Sequence, residues 1–193
     1  MFDQLASGFL LFSDDIIIVP LIVLGLICLD RSVFYHAACL IFFSILLNVA
    51  LKNSFQVPLS PLLGKKGYAF PSGHMQLVTV LYGWLALKFN KKGLYLGTLL
   101  LLAGIGASLI HFGYHTIYDV IAGLFVGLIL LLVYEMALTK WPKKMPWCLL
   151  LIASIFLLYI DLRTFAIAEY VWKAYLGLWL VIIIMKCLTR KRS

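Results

Sequence analysis

Long apolar runs, separated by short polar breaks, fill nearly the whole chain. A helix needs roughly 20 apolar residues to cross the hydrocarbon core of a bilayer, and fewer when flanking side chains reach the interface. The pattern therefore predicts a bundle of transmembrane α-helices. The predicted spans are residues 16–29, 33–51, 70–87, 94–110, 117–138, 146–160 and 170–185.

Two segments leave the number of spans at six or seven. A short apolar stretch, residues 5–12, precedes the first span and is expected to lie along the membrane interface. Residues 161–173 either lead into a seventh span or form a re-entrant or interfacial piece. We favour seven. No repeat or low-complexity segment divides the chain, so residues 1–193 are expected to form a single integral membrane domain, all-α and polytopic.

Composition supports this fold class. Of the 193 residues, 64% are hydrophobic and 12% are charged, whereas a soluble domain is about 45–50% apolar and about 25% charged. So few charged side chains cannot cover an ordinary water-exposed surface. The composition therefore excludes a soluble globular protein and predicts an integral membrane protein.

The net charge of +8 indicates orientation in the membrane rather than a nucleic-acid partner. Lys and Arg concentrate after the first, third, fifth and last spans, and such clusters face the cytoplasm. The N-terminus is then outside and the C-terminus inside. The loops 52–70 and 111–116 both open on the external side. No nucleic-acid-binding motif is present, and no two Cys residues have the spacing of a zinc or redox motif.

The first candidate group is Pro71-Ser72-Gly73-His74, which is predicted to open a helix at the external side. Proline suits a first helical turn, and the free N–H groups around Ser72 and Gly73 would bind an anion such as phosphate. His74 beside them is a candidate proton donor to a leaving oxygen.

The second group lies where the fourth and fifth spans meet. His115 and Asp119 are four residues apart and are expected on one helix face, where the carboxylate would orient the imidazole as a nucleophile or base. Lys52 ends the second span on the same external side, and His111 precedes this loop. A single His at a membrane interface is more often a polar anchor, and we expect this role for His36. The loops 52–70 and 111–116 instead each lead to a His on the same external side, and this convergence favours a catalytic role.

These residues resemble a known family. Gly67-Tyr-Ala-Phe-Pro-Ser-Gly-His74 and His115-x-x-x-Asp119 are similar to two motifs of the type 2 phosphatidic acid phosphatase superfamily, over about residues 51–134. The resemblance implies that His115 attacks phosphorus, Asp119 orients it and His74 protonates the leaving lipid oxygen. It also implies that Lys52 and the Ser72–Gly73 region hold the phosphoryl oxygens, and that neither a metal nor a cofactor is required.

Both arginines of the family motifs are missing. Leu59-Ser60 stands where the pattern has Arg-Pro, and Ser108-Leu109 stands where it has Ser-Arg. An Arg fork is among the strongest contacts to a phosphate dianion, so its loss weakens the case for a monoester substrate. Lys65, Lys66 and His111 lie in the same external loops and would replace part of this charge.

Three interpretations follow from the resemblance and its departures. We favour a lipid phosphatase that hydrolyses a phosphate or diphosphate monoester through a phosphohistidine. The alternatives are a phosphodiester head-group transferase similar to the sphingomyelin synthases, and a non-catalytic lipid-binding relative. The expected partners are a lipid phosphate and the bilayer, and the short chain without glycosylation sequons favours a bacterial inner membrane with the site facing outward. The sequence identifies neither the lipid nor the oligomeric state.

Overall fold

The computed structural model describes residues 2–61, 64, 67–164 and 167–190. Over these residues the chain is an all-α bundle without strands, which confirms the predicted fold class. Its helices are α1 (Phe2–Leu11), α2 (Asp15–Cys28), α3 (Arg31–Phe55), α4 (Gly73–Phe89), α5 (Lys92–His111), α6 (Ile117–Lys140), α7 (Met145–Thr164) and α8 (Glu169–Arg190).

Local signals fix the ends of the central helices. The Asp30 carboxylate accepts a 3.0 Å hydrogen bond from the Val33 N–H and so caps α3. Gln56 ends α3 and Asn90 ends α4, each in the left-handed backbone conformation that terminates helices. The helices therefore stop at the polar breaks that separate the apolar runs.

Six helical stretches in the described residues are long and apolar enough to cross a membrane. The 17-residue α4, which corresponds to the predicted span 70–87, is shorter and packs against α3, α5 and α6. The preference for seven full spans is therefore not confirmed. Within residues 161–173, residues 161–164 end α7 and residues 169–173 begin α8, and residues 165–166 lie outside the described residues. The six stretches are Phe2–Cys28, Arg31–Phe55, Lys92–His111, Ile117–Lys140, Met145–Thr164 and Glu169–Leu188.

The first of these stretches is broken near its middle. α1 packs against α5, where the Phe9 ring lies over Gly104, and α2 packs against α3. Between them the chain turns at Ser13, whose Oγ donates a 2.7 Å hydrogen bond to the last turn of α1. Residues 5–12 lie mostly in α1, a separate helix with no fully buried residue whose Phe9 and Leu10 pack against the apolar cluster of α4, α5 and α6, and their interfacial position stays a prediction.

The closest helix contact joins α4 and α6. A Cβ atom at Gly123 would lie 2.5 Å from the Ser72 carbonyl oxygen, and one at Gly127 would lie 2.8 Å from the Thr79 Cβ. Small residues of this kind let two membrane helices approach backbone to backbone. The two glycines therefore set the distance between the start of α4 and the start of α6.

Charged groups near the C-terminal ends of α4 and α6, at the opposite end of the bundle from His74 and His115, are paired. The Lys88 Nζ of α4 lies 2.6 Å from the Glu135 carboxylate of α6 and sits over the Trp84 ring. His36 Nδ1 lies 2.6 Å from the Tyr134 hydroxyl, which places this histidine among packing residues. This network ties α3, α4 and α6 together far from the candidate chemistry.

The α4–α6 contact predicts the effect of adding one methyl group. Gly123→Ala should lower the stability in detergent by roughly 1–3 kcal/mol, because the new Cβ meets backbone atoms that cannot rotate away. Thermal unfolding would measure the change. Gly97→Ala on α5 is the matched control, since nothing lies within 4 Å of its Cβ. Equal unfolding temperatures for both variants would contradict the prediction.

Candidate active site

Three segments converge at one end of the bundle, which we call the site end. They are the last turns of α3, the N-terminus of α4 and the loop 112–116 that precedes α6. The Ser72 N–H donates a 3.0 Å hydrogen bond to the Asp119 carbonyl oxygen and so joins the starts of α4 and α6. Residues that are far apart in the sequence therefore meet at one point.

A buried polar cluster holds the start of α4 against α3. The Asn48 side-chain amide donates to the Pro71 carbonyl oxygen at 3.2 Å and to the Gln76 Oε1 at 2.9 Å. The Gln76 amide in turn donates to the Ser44 carbonyl and hydroxyl oxygens at 3.0 and 2.9 Å. Buried polar groups satisfied in this way fix a unique geometry, so the cluster sets where the α4 N-terminus points.

The helix N-terminus expected at the Pro71–His74 sequence is present, but it starts later than predicted. Ser72 is the N-cap and its Oγ accepts a 3.4 Å hydrogen bond from the Met75 N–H, so Pro71 precedes the helix instead of occupying its first turn. A Cβ at Gly73 would lie 2.9 Å from the Asn48 Oδ1. Glycine therefore lets the backbone at the start of α4 approach α3 this closely.

His115 and Asp119 lie together, but not on one helix face. Thr116 is the N-cap of α6, so His115 lies in the loop before the helix and the predicted i, i+4 placement is corrected. Asp119 Oδ2 accepts 2.8 Å hydrogen bonds from the Thr116 N–H and hydroxyl, and the Thr116 Oγ1 accepts one of 3.3 Å from the Asp119 N–H, which completes a capping box. His115 Nδ1 lies 3.9 Å from the Asp119 Oδ2, which is ion-pair range but beyond a hydrogen bond.

The environment of His115 favours its neutral form. Its side chain is 7% exposed, and Nδ1 has no hydrogen-bond partner among the described residues. Burial first, and then the nearby Lys52 charge, lower the pKa of His115 to about 4, against a smaller opposing effect of Asp119. The imidazole is therefore unprotonated at neutral pH, as a nucleophile must be.

A cavity of about 840 Å³ at the site end brings four of the predicted residues together. Lys52, Gly73, His74 and His115 all line it, and Ser72 lies directly behind Gly73 as the buried cap of α4. Apolar side chains make up much of the remaining wall. A polar, cationic centre with an apolar surround suits a lipid that carries a charged head group.

The cavity also includes residues that the sequence analysis missed. Ser13 and Asp15, at the break between α1 and α2, line it together with His74. The predicted first span began at residue 16 and so left Asp14 and Asp15 outside the membrane. The available signal was that both carboxylates interrupt a continuous apolar stretch, Phe2–Cys28, which is long enough to cross a bilayer.

Of the other predicted phosphate-binding residues, the structure describes only His111, which does not line the cavity. His111 pairs with Asp3 at 2.7 Å, where α1 meets the end of α5. Lys65 and Lys66 lie outside the described residues. Among the described residues, Lys52 and Lys173 are the only lysines that line the cavity, and Lys173 also forms a 2.7 Å ion pair with Glu169.

The two positions that lack the family arginines differ from each other. Leu59 lines the cavity together with Lys52 and His74. Leu109 is 1% exposed and packs in an apolar cluster with Met75, Ile105 and Val120. An arginine at Leu109 would therefore be buried in apolar surroundings without a partner.

The described residues contain no group of three or more His, Cys, Asp or Glu side chains that could hold a metal ion. The described residues that line the cavity instead include two imidazoles, two lysines and one carboxylate. This set can bind an anion, attack it and transfer protons.

Comparison with known proteins agrees with the motifs. Residues 32–143, more than half of the chain, match the family model of the PAP2 superfamily. No curated protein and no solved structure matches the chain. The matched region runs from α3 through α6 and contains every residue discussed above as catalytic. The chain is therefore a helical membrane member of the PAP2 superfamily, the type 2 phosphatidic acid phosphatases, whose activity is of the phosphatase type.

Proposed function

We propose that the protein is an integral membrane lipid phosphatase that hydrolyses a phosphate or diphosphate monoester through a phosphohistidine intermediate. The observation that carries this proposal is the convergence of His74, His115 and Lys52 on one cavity. Family membership supports the phosphatase chemistry, and the apolar walls of the cavity support a lipid substrate.

The first step transfers the phosphoryl group to His115. The neutral imidazole attacks phosphorus, the ester P–O bond breaks, and the leaving lipid oxygen takes a proton from the His74 imidazolium. Asp119 stabilises the positive charge that develops on His115, since closing their 3.9 Å separation by about 1 Å would form a hydrogen bond. Lys52 and the N–H groups at the start of α4 hold the phosphoryl oxygens.

The second step regenerates the enzyme. His74, now neutral, takes a proton from a water molecule, the water oxygen attacks phosphorus, and the N–P bond breaks to release phosphate. His74 is protonated in the first step, where it donates a proton, and neutral in the second step, where it accepts one. His115 is the nucleophile of the first step and the leaving group of the second. The distribution of Lys and Arg favours an external site, in a bacterial inner membrane, because the basic loops lie at the other end of the bundle.

The missing arginines favour a head-group transferase as a second candidate. A phosphodiester carries one negative charge fewer than a monoester, so it needs fewer cationic contacts, and the cavity offers few. Transfer of a labelled head group from a donor phospholipid to an acceptor alcohol, without free phosphate, would support this candidate. A non-catalytic lipid-binding role requires that the cellular function survive loss of both histidines.

Substitution of the two histidines tests the phosphatase. His115→Ala should abolish phosphoenzyme formation and phosphate release, at least about 10³-fold, because the nucleophile is lost. His74→Ala should slow both steps. Incubation of the purified protein with ³²P-labelled lipid phosphates, quenched in alkali to preserve phosphohistidine, measures the intermediate. His36→Asn, at the opposite end of the bundle, is the control and should retain activity. Phosphate release by His115→Ala would overturn the mechanism.

The low pKa of His115 predicts the acid limb of the pH profile. Protonation of the nucleophile stops attack, so kcat/KM should persist below pH 6.5 and fall only as the pH approaches about 4. Lys52→Met removes a charge that disfavours protonation and should move this limb to higher pH. Steady-state rates across buffers of constant ionic strength measure both. An acid limb near pH 6.5 in the wild type would show that His115 has its ordinary pKa and would contradict the lowered value.

Restoring one arginine tests the charge argument. Leu59→Arg should raise kcat/KM for a lipid phosphate monoester roughly tenfold, because Leu59 lines the cavity and an Arg–phosphate contact is charge-assisted. Leu59→Met is the control of similar length without the charge. Release of inorganic phosphate is the measurement. Equal rates for the two variants would show that scarcity of cations does not limit turnover.

A further inference from the structure

The catalytic cavity continues along α3, from the site end toward the middle of the bundle. The α3 residues that line it recur at helical spacing, and they include Lys52, Ile45 and Phe42. Lys52 and Phe42 are ten residues apart on this helix, which corresponds to about 15 Å at 1.5 Å per residue. The proposed phosphate chemistry uses only the part of this length nearest the site end.

The start of α4 marks the depth at which the phosphate reacts. The Gly73 backbone lies against Asn48 of α3, where an added Cβ would lie 2.9 Å from Oδ1, and His74 follows directly. From Asn48 to Phe42 the cavity follows six residues of α3, or about 9 Å. We call this part the lower limb, and its apolar lining residues are Val19, Phe42, Ile45, Leu77 and Ala174.

The lower limb offers no partner to a charged group. Its lining residues come from α2, α3, α4 and α8, and none of the five carries a polar side-chain atom. Two serines border it, and both are already hydrogen-bonded. The Ser13 hydroxyl donates to the Leu10 carbonyl oxygen at 2.7 Å, and the Ser44 hydroxyl accepts from the Gln76 amide at 2.9 Å. A hydrocarbon chain would bury apolar surface here, whereas a head group would lose its hydration without compensation.

Phe42 closes the lower limb. Among the described α3 residues that line the cavity, it lies farthest from Lys52. Its ring rests on α8 at Gly177, where an added Cβ would lie 2.6 Å from the ring Cζ. Ala174 lines the cavity about one helical turn before this contact and is buried. The Phe42 ring therefore bridges α3 and α8 at the depth where the cavity ends.

The lower limb also has an open side. Val19 of α2 lines the cavity, yet it is 53% exposed and belongs to a stretch apolar enough to cross a membrane. A chain that is longer than the lower limb can therefore turn out past Val19 into the bilayer.

The position of His74 directs the leaving group toward the lower limb. His74 and Leu77 are three residues apart on α4 and line the same cavity. A lipid oxygen that takes its proton from His74 therefore begins its tail beside Leu77. Carbon–carbon bonds of about 1.52 Å advance an extended chain by roughly 1.25 Å each, so a limb of about 9 Å holds about seven of them.

We propose that the lower limb binds the hydrocarbon tail of the substrate, and that Phe42, seated on Gly177, is the floor at which the tail must turn toward the bilayer. The tail segment next to the phosphate is thus a flexible, extended hydrocarbon chain. The inference rests on the proposed function, because the roles of His74 and His115 fix where the phosphate and the first carbon of the tail lie.

Alkyl phosphates of different length test the floor. The probes are ethyl, octyl and dodecyl phosphate, presented to the purified full chain in detergent, and kcat/KM is measured from phosphate release. Octyl phosphate reaches Phe42, whereas dodecyl phosphate exceeds the lower limb. Phe42→Ala should deepen the limb by about one helical turn of 5.4 Å. The dodecyl-to-octyl ratio of kcat/KM should then rise roughly tenfold above the wild-type ratio, because each methylene placed in an apolar pocket has an effect of about this size.

Phe43→Ala is the matched control for this variant. It removes the same side chain at the next position, where the ring packs on Phe156 of α7 and does not line the cavity, so it should keep the wild-type ratio. Ratios taken within one variant cancel a general loss of activity or of folded protein. Ile45→Phe should narrow the limb and lower the octyl-to-ethyl ratio roughly tenfold. This second variant tests the limb even if Phe42→Ala does not fold.

A photolabel locates the tail without relying on turnover. Dodecyl phosphate with a diazirine in the middle of its chain should label the peptides that contain Phe42, Ile45 or Ala174. Excess octyl phosphate should displace this label, because both tails occupy the lower limb. Label on Leu99 of α5, which is exposed on the outside of the bundle, should not be displaced.

Each outcome decides one point. An unchanged dodecyl-to-octyl ratio in folded Phe42→Ala would overturn the assignment of Phe42 as the floor. Displaceable label that is absent, or that lies outside the predicted peptides, would overturn the lower limb as the tail site while phosphate release still supports the phosphatase. Displaceable label on the predicted peptides without any phosphoenzyme or phosphate release would support the tail site and overturn the proposed function instead.

Discussion

The hydrogen bond from the Ser72 N–H to the Asp119 carbonyl oxygen is the contact on which the site depends. It joins the starts of α4 and α6, and it forms only because Gly123 brings the two backbones together. Through it, the helix N-terminus that carries His74 is fixed relative to the loop that carries His115. A displacement of about 1 Å at this contact would be enough to misalign nucleophile and proton donor.

A small number of charged side chains determines the electrostatic character of the site end. Lys52 belongs to α3. Asn48 and Ser44 of α3 form a buried cluster with Gln76 of α4, and this cluster anchors α4 to α3. With Leu59 and Leu109 in place of arginines, the described cavity wall combines Lys52 and Lys173 with the Asp15 carboxylate. The transferase candidate draws on the absence of both arginines, because a phosphodiester carries one negative charge fewer than a monoester.

The sequence predicted some features of the site well because they are local. A helix start near Ser72-Gly73-His74 follows from short-range hydrogen bonding, and the structure places it at the site end. His115 was expected on a helix face because spacing alone does not show where the cap falls. Asp14 and Asp15 were missed since a hydropathy pattern marks charges as boundaries. It does not register a helix that breaks within the membrane and resumes.

Hydrophobic periodicity and composition by themselves determined the all-α membrane fold, since a bilayer allows few other ways to satisfy a backbone. The motifs alone also indicated the superfamily, which the match over residues 32–143 confirmed. Only the tertiary structure decided that Leu59 faces the cavity while Leu109 is buried, and that Asp15 shares a cavity with His74 while His111 does not. The physical reason is that these relations depend on how α1, α3, α4 and α6 pack, and such contacts join residues far apart in the chain.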